Sequence, residues 1–262
     1  MQIHRLPPPP NSLAILRILE DEDGLLAHMG VEVGSLSTFY SMDRPGLGEI
    51  LSLAVTDSKE DGEDYIHAQV RLKDAYFNVF EGFSIHQATG SRRLRVQVTQ
   101  PSYLMDSVIR FVFPLLRVKS VSIGGRVIPW QKRNHYHQYL AEDSLVCLTN
   151  GSRIIFRPKA VRTPKGMALF VYFRDEPDAW VFHIRMLAIQ PTNTVVRGCN
   201  SWFNAPFSPF FQKIARAIPG FLDRTLYVRE RVSQRIPFQT NGGILMLPKQ
   251  WLEFSVEWEI EE

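Results

Sequence analysis

The last stretch of the chain alternates without a break. Leu252, Phe254, Val256, Trp258 and Ile260 fall on one side, and Glu253, Glu257, Glu259 and Glu261 on the other. Side chains of an extended strand point to opposite faces in turn, so this pattern describes a strand with one face buried and one in water. From Glu49 onward the same period of two recurs, together with short apolar runs rich in Val, Ile, Phe and Tyr and bounded by Gly, Asn, Asp and Pro. These signals predict strands near 49–56, 65–72, 75–80, 93–99, 118–123, 136–140, 145–149, 153–156, 168–173, 180–189 and 194–199. Asn150-Gly151 is the sharpest turn signal, because a two-residue hairpin needs positive φ angles that Asn and Gly supply at little cost. Extended segments are also expected over 226–232 and 251–260.

Helix signals are few. After Pro7–Pro10, Asn11 or Ser12 is placed to cap a short helix bearing Leu13, Leu16 and Leu19. Ser208-Pro209 opens a second helix through about Ala217, stopped by Pro219-Gly220. Tyr103 to Leu116 reads either way: Leu104, Val108, Phe111 and Leu115 make a helical stripe, while the β-branched and aromatic content favours a strand. The expected organisation is an N-terminal leader and short helix over residues 1–48, followed by one β-rich domain over 49–262. The expected fold class is α+β and β-rich, with a curved antiparallel sheet enclosing an apolar cavity and a helix in the C-terminal half.

The 262 residues are 45% hydrophobic, enough for a substantial core, which excludes disorder as the main state. No apolar run approaches the roughly 20 residues needed to span a bilayer. Met1 to Pro10 lacks the apolar centre of a secretion signal. Cys147 and Cys199 are the only cysteines, too few for a disulfide framework or a structural zinc site, and a cytoplasmic location is expected. Net charge is +3 but unevenly spread. Arg117, Lys119, Arg126, Lys132, Arg133, Arg153, Arg157, Lys159, Arg162 and Lys165 face only Glu142 and Asp143 within their span. This basic middle predicts, as one alternative, a non-catalytic module docking an acidic protein or an anionic surface. Nucleic acid is not an expected partner, because these cations alternate with apolar residues as strand faces do.

Seventeen Phe, eight Tyr and five Trp exceed what a filled core of this size requires. The preferred expectation is an aromatic-lined cavity that binds a hydrophobic or polycyclic small molecule. Trp130, Tyr136, Phe156, Tyr172, Arg174, Trp180 and Arg185 are its candidate lining. His135, His137, Tyr139 and His183 are the candidate proton-moving groups, since a neutral imidazole titrates near neutrality and a phenol can hold developing charge. The chemistry that would suit such a cavity is cofactor-free cyclisation, isomerisation or dehydration. Gly-x-Ser-x-Gly, a Gly-rich phosphate loop, a dinucleotide fingerprint and His-Glu-x-x-His are all absent.

Two resemblances add to this reading. Residues 191–237, with Thr194 to Arg197, Trp202-Phe203, the helix signal at Pro209 and Ile218-Pro219, resemble the C-terminal domain of pheophorbide-oxygenase-type Rieske oxygenases. That domain belongs to the START-like, helix-grip superfamily, which implies a sheet wrapped around a helix and a deep cavity. The cluster ligands Cys-x-His and Cys-x-x-His are missing, as is the histidine pair for a mononuclear iron, so only the container is implied. His135-x-His137 followed by Glu142, with Pro164-Lys165-Gly166 further on, resembles the cupin motifs. It implies a metal-dependent enzyme as a lesser alternative, although Leu169 occupies the place of the third histidine. No metal or other cofactor is expected.

Overall fold

The structure is a computed structural model that describes residues 2–6, 16–35, 50–60, 63–72, 75–104, 106–130, 136–188 and 244–262. Two stacked antiparallel sheets account for almost all of them. The first holds seven strands in the order β1-β2-β3-β9-β16-β15-β12. These are β1 (Gln2–Leu6), β2 (Leu16–Asp21), β3 (Gly24–Gly34), β9 (Asp106–Pro114), β12 (Tyr136–Leu140), β15 (Met167–Asp175) and β16 (Ala179–Ala188). The second holds nine, ordered β11-β10-β13-β14-β18-β7-β6-β5-β4. Here the ranges are β4 (Ile50–Glu60), β5 (Glu63–Leu72), β6 (Tyr76–His86), β7 (Thr89–Val98), β10 (Val118–Ile123), β11 (Arg126–Ile128), β13 (Ser144–Leu148), β14 (Arg153–Arg162) and β18 (Trp251–Glu261). A two-stranded ribbon pairs β8 (Ser102–Leu104) with β17 (Ile244–Met246).

Aromatic rings fill the space between the sheets. Phe111 of β9 lies 5.0 Å from Phe156 of β14 and 5.6 Å from Trp258 of β18, centroid to centroid. Phe156 reaches Phe182 of β16 at 4.9 Å, and Phe182 stacks on Phe173 of β15 at 4.5 Å. Tilted and offset pairs at these separations are the favoured packings of aromatic quadrupoles. On β18 the alternation read from the sequence is realised: Leu252, Phe254, Val256 and Trp258 are all buried. Trp258 lies so close over β7 that a Cβ at Gly90 would stand 2.2 Å from its ring, which is why position 90 carries no side chain.

Charge also crosses this interior. Arg92 of β7 donates to Glu81 of β6 at 2.9 Å, and to the main-chain carbonyls of Arg110 and Gly30 on the opposite sheet at 3.1 and 3.2 Å. Glu81 accepts a further bond from Arg17 of β2 at 3.3 Å. Burial drags the Arg92 guanidinium below its ordinary pKa, opposed by the Glu81 carboxylate, while Arg17 adds to the lowering.

Several expectations are corrected here. Two stacked sheets replace the α+β helix-grip arrangement and its START-like resemblance: helix among the described residues is limited to one 3-10 turn, Leu115–Arg117. The predicted helix from Pro209, the strands over 194–199 and 226–232 and the resembling segment 191–237 lie outside the described residues. The helix expected over Leu13 to Leu19 gives way, from Leu16 on, to a strand in a hairpin. Gly24 adopts φ +95° at its turn, Asp21 Oδ1 accepts from the Asp23 amide at 2.9 Å, and Leu19 is buried. Over Asp106–Pro114 the strand wins, because flanking β3 and β16 give every second Val, Ile or Phe a packed neighbour. A hairpin turn forms at Asn150-Gly151, but not the two-residue one expected: Gly151 alone takes a positive φ, +101°, and Leu148 closes a three-residue loop by accepting from the Gly151 amide at 3.3 Å and donating to the Ser152 carbonyl at 2.8 Å. Pro164-Lys165-Gly166 is also a turn: Met167 donates to the Pro164 carbonyl at 3.1 Å and Gly166 takes φ +87°, a type II geometry joining β14 to β15.

Candidate functional site

Because Phe111, Phe173 and Phe182 face the nine-stranded sheet, alternation sends their neighbours to the other face of the seven-stranded sheet. Register sets those neighbours in rows across the strands. One row runs through Gly30, Arg110, His183 and Tyr172, the next through Glu32, Val108, Arg185 and Phe170, and a third includes Asp106. On the other side of the first row come His28, Val112, Val181 and Arg174. An ionisable outer face of a sheet is ordinarily wet. Here Glu32, Asp106, Arg110, Tyr172, Arg174, His183 and Arg185 are each 5% exposed or less.

The groups engage one another. Arg110 Nη1 stands 3.7 Å from Glu32 Oε1, and Arg185 Nε donates to Asp106 Oδ1 at 3.2 Å. The Arg185 guanidinium lies 5.1 Å from the centre of the Tyr172 ring, and the His183 imidazole packs on the same ring at 4.6 Å. Arg174 pairs with Glu176 at one end of the array, where Trp130 donates its indole N–H to the Glu176 carbonyl at 3.3 Å. His28 at that end is half-buried, and burial first, then the Arg110 charge, push its pKa below the ordinary value. Such an arrangement can hold hydroxyls and developing charge with fixed carboxylates and guanidinia, and it sets an imidazole among them to move a proton.

Of the residues picked from the sequence, His183, Tyr172, Arg174 and Arg185 come together on this face. Trp130 sits at its rim, 36% exposed. Phe156 and Trp180 are instead ring-packing members of the core between the sheets, Trp180 against Phe173 at 6.1 Å. The expectation that these rings surround a cavity, and with it a cyclase that folds an apolar substrate, is corrected by their mutual packing. Tyr136, His137 and Tyr139 lie on β12, in register with Arg174, Phe173 and Val171 respectively, and His135 lies outside the described residues. No group of three or more potential metal ligands occurs among the described residues. Glu32, Asp106 and Arg110 were not legible as site residues. The one signal for Arg110 is a lone charge inside the apolar run Val108–Phe113, and Glu32 is likewise a lone charge between Val31 and Val33.

Four cations of the basic middle are paired from within. Arg117 pairs with Asp21 and, at 3.6 Å, with Asp23. Arg126 pairs with Glu142, Arg153 with Glu261 and Arg157 with Glu259, at 2.9 to 3.0 Å. Cys147 on β13 is a free thiol. Among the described residues, no helix is long and apolar enough to cross a membrane.

No protein-family model matches the chain, and no curated protein matches it. Two solved structures are similar in outline. One is a putative aldose 1-epimerase from Escherichia coli K12, at 10% identity and a TM-score of 0.47 over 82% of this chain and 69% of that one. The other is a protein from Synechocystis sp. PCC 6803, at 7% identity and a TM-score of 0.43 over 99% of this chain and 96% of that one. Both likenesses are weak.

Proposed function

We propose that the protein binds a small, polar, hydroxyl-rich molecule at the outer face of its seven-stranded sheet and isomerises it by proton transfer, with His183 as the proton-moving group. One observation carries this reading: seven ionisable side chains from four adjacent strands are buried together on a single sheet face. Burying charge costs several kcal/mol per ion even when paired, so a fold selected for stability alone would place apolar residues there. Clusters of this kind collect where chemistry needs them. The lining also decides between ligand classes. Carboxylates and guanidinia match hydroxyls, whereas a polycyclic hydrocarbon offers them no polar partner.

Glu32 and Asp106, each held by an arginine, would orient hydroxyls as acceptors. Arg110, next to His183 in register, would stabilise negative charge as it develops on a substrate oxygen. The test is a titration of the full chain with a panel of free monosaccharides, read by ligand-observed NMR, beside an apolar panel of aromatic and steroid-like compounds. Sugar binding should weaken about tenfold or more in Arg110→Gln, since a charge-assisted bond is worth about 1.5–3 kcal/mol. In His183→Asn the bound sugar should persist while its isomerisation stops. Preference for the apolar panel, or sugar binding untouched by both substitutions, would overturn the assignment.

A further inference from the structure

The outer face of the nine-stranded sheet carries a second and unrelated pattern. Along β14 and β18 arginine meets glutamate across the strands, Arg153 with Glu261 and Arg157 with Glu259. Toward the far end of β14 this ladder stops. Lys159 stands opposite Ser255, and Glu253, in register with both Arg162 and Arg95, makes its ion pair with Arg93 at 3.7 Å. Lys159, Arg162, Lys165 and Arg95 therefore form a local excess of positive charge, with no ion pair to any of them among the described residues.

Two of these cations are held in place by an aromatic ring. Trp251 opens β18, and the strands flanking it supply one guanidinium each: Arg95 of β7 at 4.4 Å from the ring and Arg162 of β14 at 4.5 Å. Stacking on tryptophan leaves the N–H edge of a guanidinium available while removing much of its freedom. Beside Trp251 lies a cleft of about 380 Å³, lined by Arg162, Thr163, Lys165, Gln250 and Leu245 among others. Its polar groups are donors. Lys165 stands in the type II turn, and Gln250 uses its Oε1 to accept from the Leu247 amide at 2.7 Å, which leaves its NH₂ to donate.

We infer that this cleft is a binding site for a small molecule bearing an oxyanion (phosphate, sulfate or carboxylate), recognised by Arg162 and Lys165 with Thr163 and Gln250 as neutral donors. Its volume falls in the range of small-molecule pockets, and a planar guanidinium with a nearby ammonium matches a two-oxygen anionic group. The half-open cleft, of about 380 Å³, has room for a compact ligand rather than a polymer. Because two guanidinia already lie over the Trp251 ring, stacking of a nucleobase on it is not the mode of recognition.

The experiment is calorimetric titration of the full chain with inorganic phosphate, sulfate, glucuronate and a single-stranded oligonucleotide, each at two salt concentrations. The indole N–H resonance of Trp251, assigned through Trp251→Phe, serves as local reporter. Saturable binding of at least one small anion that moves the Trp251 signal is expected. It should weaken about tenfold or more in Arg162→Gln and again in Lys165→Gln, and stay unchanged in Arg153→Gln, whose charge lies in the paired part of the ladder. Which of the three small anions binds tells phosphate, sulfate and carboxylate sources apart. The inference is overturned if no small anion moves the Trp251 signal, if Arg153→Gln weakens binding as much as Arg162→Gln, or if the oligonucleotide alone binds.

Discussion

His28 lies half-buried on β3 with the Arg110 guanidinium on the neighbouring strand, and both desolvation and that charge keep its imidazole neutral below its ordinary pKa of 6.5. In the unfolded chain the same ring protonates at its ordinary value. The unfolded state thus binds the extra proton first as pH falls, so the stability this residue contributes is present above 6.5 and is lost as pH drops toward the folded pKa. A His28→Gln variant should show a flatter fall in the urea midpoint between neutral and mildly acidic pH than the parent protein. An equal slope in both would mean that His28 does not titrate differently on folding. The alternation of Phe182, His183, Ile184, Arg185 and Met186 put His183 and Arg185 on one face. Which face was buried, and that Arg110 and Tyr172 share it, depended on strands far away in the chain.

At the level of elements, the hairpin of β13 and β14 was legible because its turn chemistry is local. Gly151 takes a φ of +101°, and Asn150 spans the turn by accepting from the Ser152 amide at 3.1 Å while donating to Asp23 at 3.0 Å. A β-branched side chain in such a conformation costs about 1–2 kcal/mol. Gly151→Val should therefore lower the unfolding free energy by that amount, seen as a lower urea midpoint at an unchanged denaturant slope, whereas Asn150→Gly should cost less. Pro158, which reads as a strand breaker, sits beyond the last β13 pair, where β14 bonds only to β18 and a missing N–H need not interrupt a ladder. Helical stripes were the weak point. Leu13, Leu16 and Leu19 fit a helical stripe, whereas in a strand a spacing of three sends Leu16 and Leu19 to opposite faces. The hairpin turn at Asp21–Gly24 and the long neighbour β3 decided it.

Across the whole molecule, the two sheets are joined by ring packing and by the Arg17–Glu81–Arg92 group. Arg92 is fully buried and bridges its own sheet's glutamate to two carbonyls of the opposite sheet. Removing one member of a buried ionic group leaves the others desolvated and unmatched, which costs about 3–5 kcal/mol. Arg92→Met should lose stability on that scale in urea denaturation. Glu81→Gln leaves two buried guanidinia without their carboxylate, so it should lose at least as much. If Arg92→Met were neutral, the contact between the sheets would be carried by the rings alone.

The sequence by itself determined that the chain is built of antiparallel strands, where many of them begin and end, and which residues of each strand share a face, because period and turn chemistry are properties of neighbours along the chain. Only the tertiary structure decided that the strands stack as two sheets, that Phe156 and Trp180 fill the space between them, and that the outer face of one sheet gathers Glu32, Asp106, Arg110 and His183. A charge cannot reveal from its own segment whether it will be buried beside a partner that arrives from another strand: desolvation and pairing are set by distances that exist only after folding.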